Sequence, residues 1–158
     1  MDTTTIEIKK IAPGDPIPYN LLLLADETVE GINHYLPQSD TYIATFADQR
    51  EPIAVMALQP LNGEEIEIMN IAVSTPLQSQ GIGKILMDKA MEIARADGYT
   101  SLKVGTADCG TRQINFYKRN GFNVCEIRKN YFIEKYAEPI YENGVRLKDM
   151  VVLERKVN

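Results

Sequence analysis

A mixed α/β fold, in which helices cover a mixed sheet, is predicted by three features of this 158-residue sequence. Short, alternating or continuously apolar runs suited to strands are interleaved with longer segments whose apolar residues recur every three or four positions. Asn-Gly and Pro-Gly punctuation separates these segments. No internal repeat, low-complexity tract or linker interrupts the series, so one domain over residues 1–158 is expected.

Residues 5–11 alternate and are rich in β-branched side chains, which predicts a first strand that Pro13-Gly14-Asp15-Pro16 breaks. Across 19–35, Leu22, Ala25, Val29, Ile32 and Tyr35 keep helical spacing, so a single helix is expected there, stopped by Pro37. Residues 41–46 and 53–58 read as strands joined in a hairpin through 47–51. Asn62-Gly63 then turns the chain into a strand over 64–73. There Glu65, Glu67 and Met69 fall on one face and Ile66, Ile68 and Asn70 on the other, before Ile71-Ala72-Val73 becomes continuously apolar.

Past Ser74-Thr75-Pro76, Ile82, Ile85, Leu86, Ala90, Ile93 and Ala94 form one stripe of an amphipathic helix over 81–96, closed by Gly98. A strand over 101–106, a helix over 111–119 ending at Asn120-Gly121, and a strand over 122–127 follow. Asn143-Gly144 offers one more turn before a last strand over 146–154. The 81–96 helix joins its flanking strands as a right-handed crossover would, so those two strands should be parallel neighbours.

Composition narrows the function classes. With 44% hydrophobic and 25% charged residues the chain is ordinary globular material, long enough to build a core without disulfides or a structural metal. Its 17 Lys and Arg against 22 Asp and Glu leave a net charge of -5. That sign argues against nucleic acid or an anionic membrane surface as partner and suits a cationic amine. Cys109 and Cys125 lack the spacing of a zinc site and His34 is the only histidine, so no metal is expected. Met1-Asp2-Thr3-Thr4-Thr5 opens no basic-then-apolar leader, and no apolar run approaches a membrane span, so a cytoplasmic chain is expected.

The chemically informative segment is Gln78-Ser79-Gln80-Gly81-Ile82-Gly83, between a strand and a helix. A helix N-terminus presents N–H groups without intrahelical partners at the positive end of the macrodipole, which favours an anion. Gly81 and Gly83 remove side chains where a phosphate would otherwise meet a Cβ, so the turn can cradle a pyrophosphate. Taken alone, the pair also fits a plain turn with close helix–sheet packing. The third glycine and acidic ribose ligand of a dinucleotide loop are missing, as is the Gly-Lys-Ser/Thr ending of a triphosphate loop.

In its wider setting, Asn70-Ile71-Ala72-Val73-Ser74-Thr75-Pro76 followed by Gln78-Ser79-Gln80-Gly81-Ile82-Gly83-Lys84-Ile85-Leu86 resembles the signature of the GNAT acetyltransferase superfamily, Gln/Arg-x-x-Gly-x-Gly/Ala after a strand. Asn115-Phe116-Tyr117-Lys118-Arg119-Asn120-Gly121-Phe122 resembles that family's second block, and the element order follows its fold over nearly the whole chain. The resemblance implies a mostly antiparallel sheet with a splayed parallel strand pair, flanked by helices. It implies acetyl-CoA as co-substrate, held in the splay, and the amine of a small molecule or peptide as acceptor. The alternative is an acyl-CoA-binding sensor or assembly module without catalysis.

Residue roles follow from the same resemblance. The strand segment Ile71, Ala72 and Val73 would meet the pantetheine, chiefly through the backbone of Ile71 and Val73. Amides of Gln78, Ser79, Gln80, Gly81, Ile82, Gly83 and Lys84 would meet the phosphates. Tyr117 would protonate the departing thiolate, or else be a buried ring at the helix–sheet boundary. Glu67 would be the general base, or else belong with Glu64 and Glu65 to a solvated strand face. The asparagine that family members often place seven residues before the tyrosine is Gly110 here, with Asp108 as a partial substitute for holding the cofactor. Cys109 reads as a packed thiol, since direct transfer needs no covalent intermediate and no second histidine could activate it. His34, and the aromatic group Tyr131, Phe132, Tyr136 and Tyr141, could line the acceptor site or simply pack the surface. An exposed apolar final strand would favour a homodimer.

Overall fold

The computed structural model describes residues 5–157; the segment 1–4, read above for a leader, lies outside them. Strands β1 (Ile6–Lys10), β2 (Asp40–Phe46), β3 (Ala54–Pro60), β4 (Glu65–Val73), β5 (Ser101–Ala107), β6 (Asn123–Arg128), the short β7 (Tyr141–Glu142) and β8 (Val145–Arg146), and β9 (Met150–Lys156) accompany helices α1 (Tyr19–Leu22), α2 (Val29–Tyr35), α3 (Ile82–Ala96), α4 (Thr111–Arg119) and α5 (Tyr131–Lys135). The main sheet runs β1-β2-β3-β4-β5-β9-β6. Each of its pairings is antiparallel except β4–β5, which is parallel, as the crossover through α3 requires.

The two sheet faces bury separate cores. Against α3 and α4 lie Ile66, Ile68, Leu86, Ala90, Leu102, Tyr117, Phe122 and Leu153. Against α1 and α2 lie Leu22, Ile32, Tyr35, Val55 and Ala57. Leu86 and Leu102 retain no exposed surface, and each such burial stabilises the fold by about 2 kcal/mol. Among the described residues no helix is long and apolar enough to cross a membrane.

Three expectations are corrected. The helix expected over 19–35 is two short helices, because Thr28 is extended (φ -143, ψ 151) and its Oγ1 accepts from Gly31 N–H at 2.9 Å, restarting the helix as an N-cap. The chain from 146 onward is also divided: Val145–Arg146 pairs with Tyr141–Glu142 across Asn143 (φ 53) and Gly144 (φ 80), the left-handed pair of a tight hairpin. The remaining strand, β9, is not exposed. It is inserted between β5 and β6, with Val152 and Leu153 at 0% exposure, so the ground for a dimer through that strand disappears and β6 is the free edge on that side.

The third correction sits in β4. Leu58 pairs with Ile68 but Ala57 pairs with Asn70, so Met69 is one residue too many on its strand. This bulge reverses the alternation. Asn70, expected on the face of Ile66 and Ile68, points instead toward α1 and α2, where its amide donates to Leu22 O at 2.9 Å and Tyr35 Oη at 3.0 Å. Ile71 and Val73 turn toward the α3 core in its place. Pairing between β4 and β5 ends at Ile68–Val104, one residue before the bulge, and the parallel strands part there.

Candidate active site

The parting of β4 and β5 leaves backbone groups without a partner strand. Ser74 N–H donates to Ile53 O at 2.8 Å, so alternation turns Ser74 and Ala72 toward β3 and Ile71 and Val73 toward the gap. The backbones of Ile71 and Val73 thus face the gap, whereas that of Ala72 pairs with β3 and its side chain is buried against α1 and α2. The Val73 carbonyl also accepts from Gln78 Nε2 at 3.1 Å, which ties the strand end to the turn that follows.

That turn is left-handed at Ser79 (φ 64) and at Gly81 (φ 88), the N-cap of α3. A Cβ on Gly81 would meet nothing within 4 Å, whereas one on Gly83 would stand 3.2 Å from the ring of Phe116. Gly83 therefore makes room for Phe116 of α4. The side chains of Gln78 and Gln80 fold back on Val73 O and Pro76 O, bracing the loop, and the Gln78 N–H donates to Thr75 O at 3.3 Å. Ile82 is a core residue, 4% exposed, and Lys84 pairs with Asp88 at 2.9 Å on the surface.

Two cationic features beside the turn escaped the sequence reading. Arg112 reaches Ser79 Oγ at 3.3 Å from the start of α4. A shallow cavity of about 320 Å³ between α3 and the end of α4 is lined by Lys84, Asp88, Arg119, Asn120, Gly121 and Arg155, three cations against one carboxylate. Neither carried a local signal, because each joins residues distant in the chain.

Tyr117, 7% exposed, lies edge-on between Phe116 and Phe122, at 5.4 and 5.8 Å between centroids. The Phe116–Gly83 contact brings the two sequence blocks together. Burial pushes the Tyr117 phenol far above its ordinary value, so it holds its proton. Asp108 is exposed just past β5, and its own N–H bonds to Asp149 O at 3.0 Å. A Cβ on Gly110 would stand 3.1 Å from Ala107 O and Thr106 Oγ1 and 3.2 Å from Gln113 Oε1, so an asparagine side chain at this N-cap would have to displace its neighbours. Cys109 is held as a thiol by burial, with Glu142 and Asp108 adding to the shift.

On the α1–α2 side of the sheet, Glu67 is 6% exposed and does not belong to a solvated face. Burial raises its carboxyl above the ordinary range, opposed by Arg128, Lys103 and Lys135. Glu65, two residues earlier on the same face, is half-buried and paired with Lys103 at 2.6 Å, which lowers its carboxyl instead. Arg128 from β6 stands 3.7 Å from Glu67. Tyr35 receives the Asn70 amide, while Tyr136 donates to Asp26 at 2.9 Å. Lys135 on α5 projects among the rings of Tyr35, Tyr131 and Tyr136. Of the aromatic group flagged by sequence, Tyr131, Phe132 and Tyr136 pack here. Tyr141 is 61% exposed, and His34 is exposed at the end of α2. The sequence did not single out Asn70, Tyr35, Arg128 and Lys135 as neighbours of this region, because the β4 bulge, the place of β6 beside β9 and the docking of α5 are tertiary features.

Comparison with known proteins bears on this arrangement. Residues 13–122 match the family described as Acetyltransferase (GNAT) family. A GNAT family acetyltransferase from Elizabethkingia anophelis, crystallised with acetyl-CoA bound, superposes with a TM-score of 0.91 at 40% identity, covering 97% of this chain and 99% of that one. A Bacillus subtilis acetyltransferase in complex with CoA superposes with a TM-score of 0.86 at 32% identity, covering 98% and 100%. The uncharacterized N-acetyltransferase YvbK of Bacillus subtilis is 36% identical over 135 residues, 85% of this chain and 86% of its own length. With a parallel strand pair that parts beside a left-handed glycine turn, and with this agreement over most of its length, the chain belongs to the acetyltransferase (GNAT) family.

Proposed function

We propose that the chain, acting as one domain, transfers an acetyl group from acetyl-CoA to a primary amine of a small molecule or peptide by direct attack in a ternary complex. The observation that carries this reading is the position of Glu67. It lies on the last paired stretch of β4, on the face opposite α3, at the point where the strands part. Backbone groups of Ile71 and Val73 line the gap beyond it, and the open turn at Ser79–Gly81 stands at the gap's end.

In this reading each group has one task. N–H groups of the turn and the start of α3, aided by Arg112, neutralise the pyrophosphate. The cavity of Lys84, Arg119 and Arg155 takes a further phosphate of the same co-substrate. The Gln113 amide, standing where an asparagine at position 110 would project, holds the pantetheine. Glu67, whose carboxyl is raised toward working pH by burial, accepts the proton from the attacking amine. Tyr117 donates its proton to the departing thiolate. Cys109, kept protonated, is not a nucleophile on this path.

Incubation of the pure protein with acetyl-CoA and a panel of amines, monitored by release of free CoA, tests the proposal. Acceptor-dependent release is expected. Tight acetyl-CoA binding by calorimetry without turnover of any amine would instead identify a binding module.

A further inference from the structure

Beside Glu67 stand two cations that lack a close carboxylate partner. Lys135 Nζ lies 6.0, 5.4 and 5.3 Å from the ring centroids of Tyr35, Tyr131 and Tyr136. Among the described residues no carboxylate forms an ion pair with it. Ring faces hold an ammonium in place but leave its donors unspent. Arg128 is only loosely paired. It stands 3.7 Å from Glu67 and 3.5 Å from Glu126, and its remaining contact is Met150 Sδ at 3.9 Å. Charge-assisted hydrogen bonds are about 2.8 Å long, so this guanidinium has neighbours without a close partner.

Both cations act on Glu67, favouring its charged form. The other carboxylates nearby are already engaged or turned outward. Asp26 accepts from Tyr136 Oη and from Glu27 N–H, Glu65 holds Lys103, and the Glu126 side chain is 48% exposed. The donor surplus beside Glu67 thus consists of one ammonium and one guanidinium from two different elements, α5 and β6.

We propose that the acceptor is an amine that also carries a carboxylate or a comparable anion, as an amino acid does. Its anion is received between Lys135 and Arg128, with its amine directed to Glu67. Such an anion supplies the short partners that both cations lack, whereas a polyamine would bring a second ammonium against Lys135 with no free carboxylate to meet it. The inference rests on the acyl-transfer reading of the same cleft and reverses the preference for cationic amines suggested by net charge.

Matched acceptors test it: α-, β- and γ-amino acids, each compared with its carboxamide and its decarboxylated amine. In CoA-release assays kcat/KM should favour at least one acid over both of its partners by about tenfold or more. Lys135→Met and Arg128→Met should each bring that ratio toward unity while leaving the KM for acetyl-CoA unchanged. Equal or better use of the uncharged or decarboxylated partners would overturn the inference and leave acetyl transfer standing. So would a ratio untouched by both variants. Calorimetry of the same pairs on CoA-loaded protein separates the two readings. Acid-selective binding without turnover would keep the anion site and sink the transferase, and binding of no acid would overturn the anion site.

Discussion

Phe116 and Gly83 are in close contact: the ring stands 3.2 Å from where a Cβ on Gly83 would be, so a side chain there would have to push the ring aside, while Gly81, two residues earlier, faces open space. The two glycines therefore do different work. Gly81 supplies a left-handed N-cap (φ 88), a conformation costly for other residues, and Gly83 supplies clearance for α4. Gly83→Ala should cost at most about 1 kcal/mol, the crowding being offset by better helix propensity, and shortening Phe116 to Leu should recover the loss. Gly81→Ala should raise the KM for acetyl-CoA more than Gly83→Ala does. Thermal melts and acetyl-CoA titrations on both variants check the assignment, and equal KM effects would refute it.

Glu67→Gln should lower kcat on the order of 10²-fold or more, the usual worth of a positioned base. The wild-type rate should rise with pH through the raised carboxyl value, and that limb should vanish in the variant. Stability moves the other way. Burial favours the protonated form in the folded state, so the native protein binds more protons than the unfolded chain between the ordinary value of 4.5 and the raised one, and stability falls as pH rises through that window. The variant lacks this loss and should melt higher than wild type at neutral pH, with the difference fading below pH 4.5. A lower neutral-pH melting temperature would contradict the burial argument.

Tyr117→Phe separates chemistry from packing. No hydrogen bond joins the hydroxyl to a described residue, and the ring contacts with Phe116 and Phe122 survive the change. Stability should stay within about 1 kcal/mol, while kcat falls on the order of 10²-fold with little change in the KM for acetyl-CoA. Parallel losses in kcat and cofactor affinity would make the tyrosine a packing residue.

Asn70 is 3% exposed and ties the bulged strand to α1 and α2 through both amide hydrogens, while its Oδ1 is buried without a partner. Asn70→Ala leaves Leu22 O without this donor and opens a small void, so a loss of about 2 kcal/mol is expected in denaturant melts. A loss confined to a few tenths would show that water replaces the amide.

The basic cavity at the end of α4 makes a claim about the co-substrate alone. Arg119→Ala should weaken acetyl-CoA binding several-fold while leaving binding of acetyl-3′-dephospho-CoA unchanged, since one charge-assisted phosphate contact is removed. Equal weakening of both, measured by calorimetry, would place the 3′-phosphate elsewhere.

How much of this was legible in the sequence differs from element to element. The α3 stripe, the hairpin turn at Asn143-Gly144, the parallel pairing of β4 with β5 and the glycine turn were readable because each depends on local periodicity, turn chemistry or the handedness of one crossover. The split of the first helix at Thr28 was hidden by apolar spacing that happened to continue across the break. The site was half legible. The places of Ile71, Val73, Ser79 and Gly81, at the strand end and in the turn, were legible because such positions have a fixed place along the chain. Side chains whose surroundings depend on distant residues were not resolved: whether Glu67 lay on a solvated face or was buried near Arg128, Lys103 and Lys135 was set by contacts far along the chain.

By itself the sequence determined the order of the main elements and the anion-suited turn. Tertiary structure decided the rest. Met69 bulges only because β3 holds its neighbours in register, and that one extra residue turns Asn70 toward α1 and α2. β9 becomes an interior strand only because β5 and β6 pair with both of its edges. Lys135 becomes a caged ammonium only because α5 lies beside Tyr35, a residue one hundred positions earlier. In each case the deciding contact joins residues far apart in the chain, where periodicity and propensity carry no information.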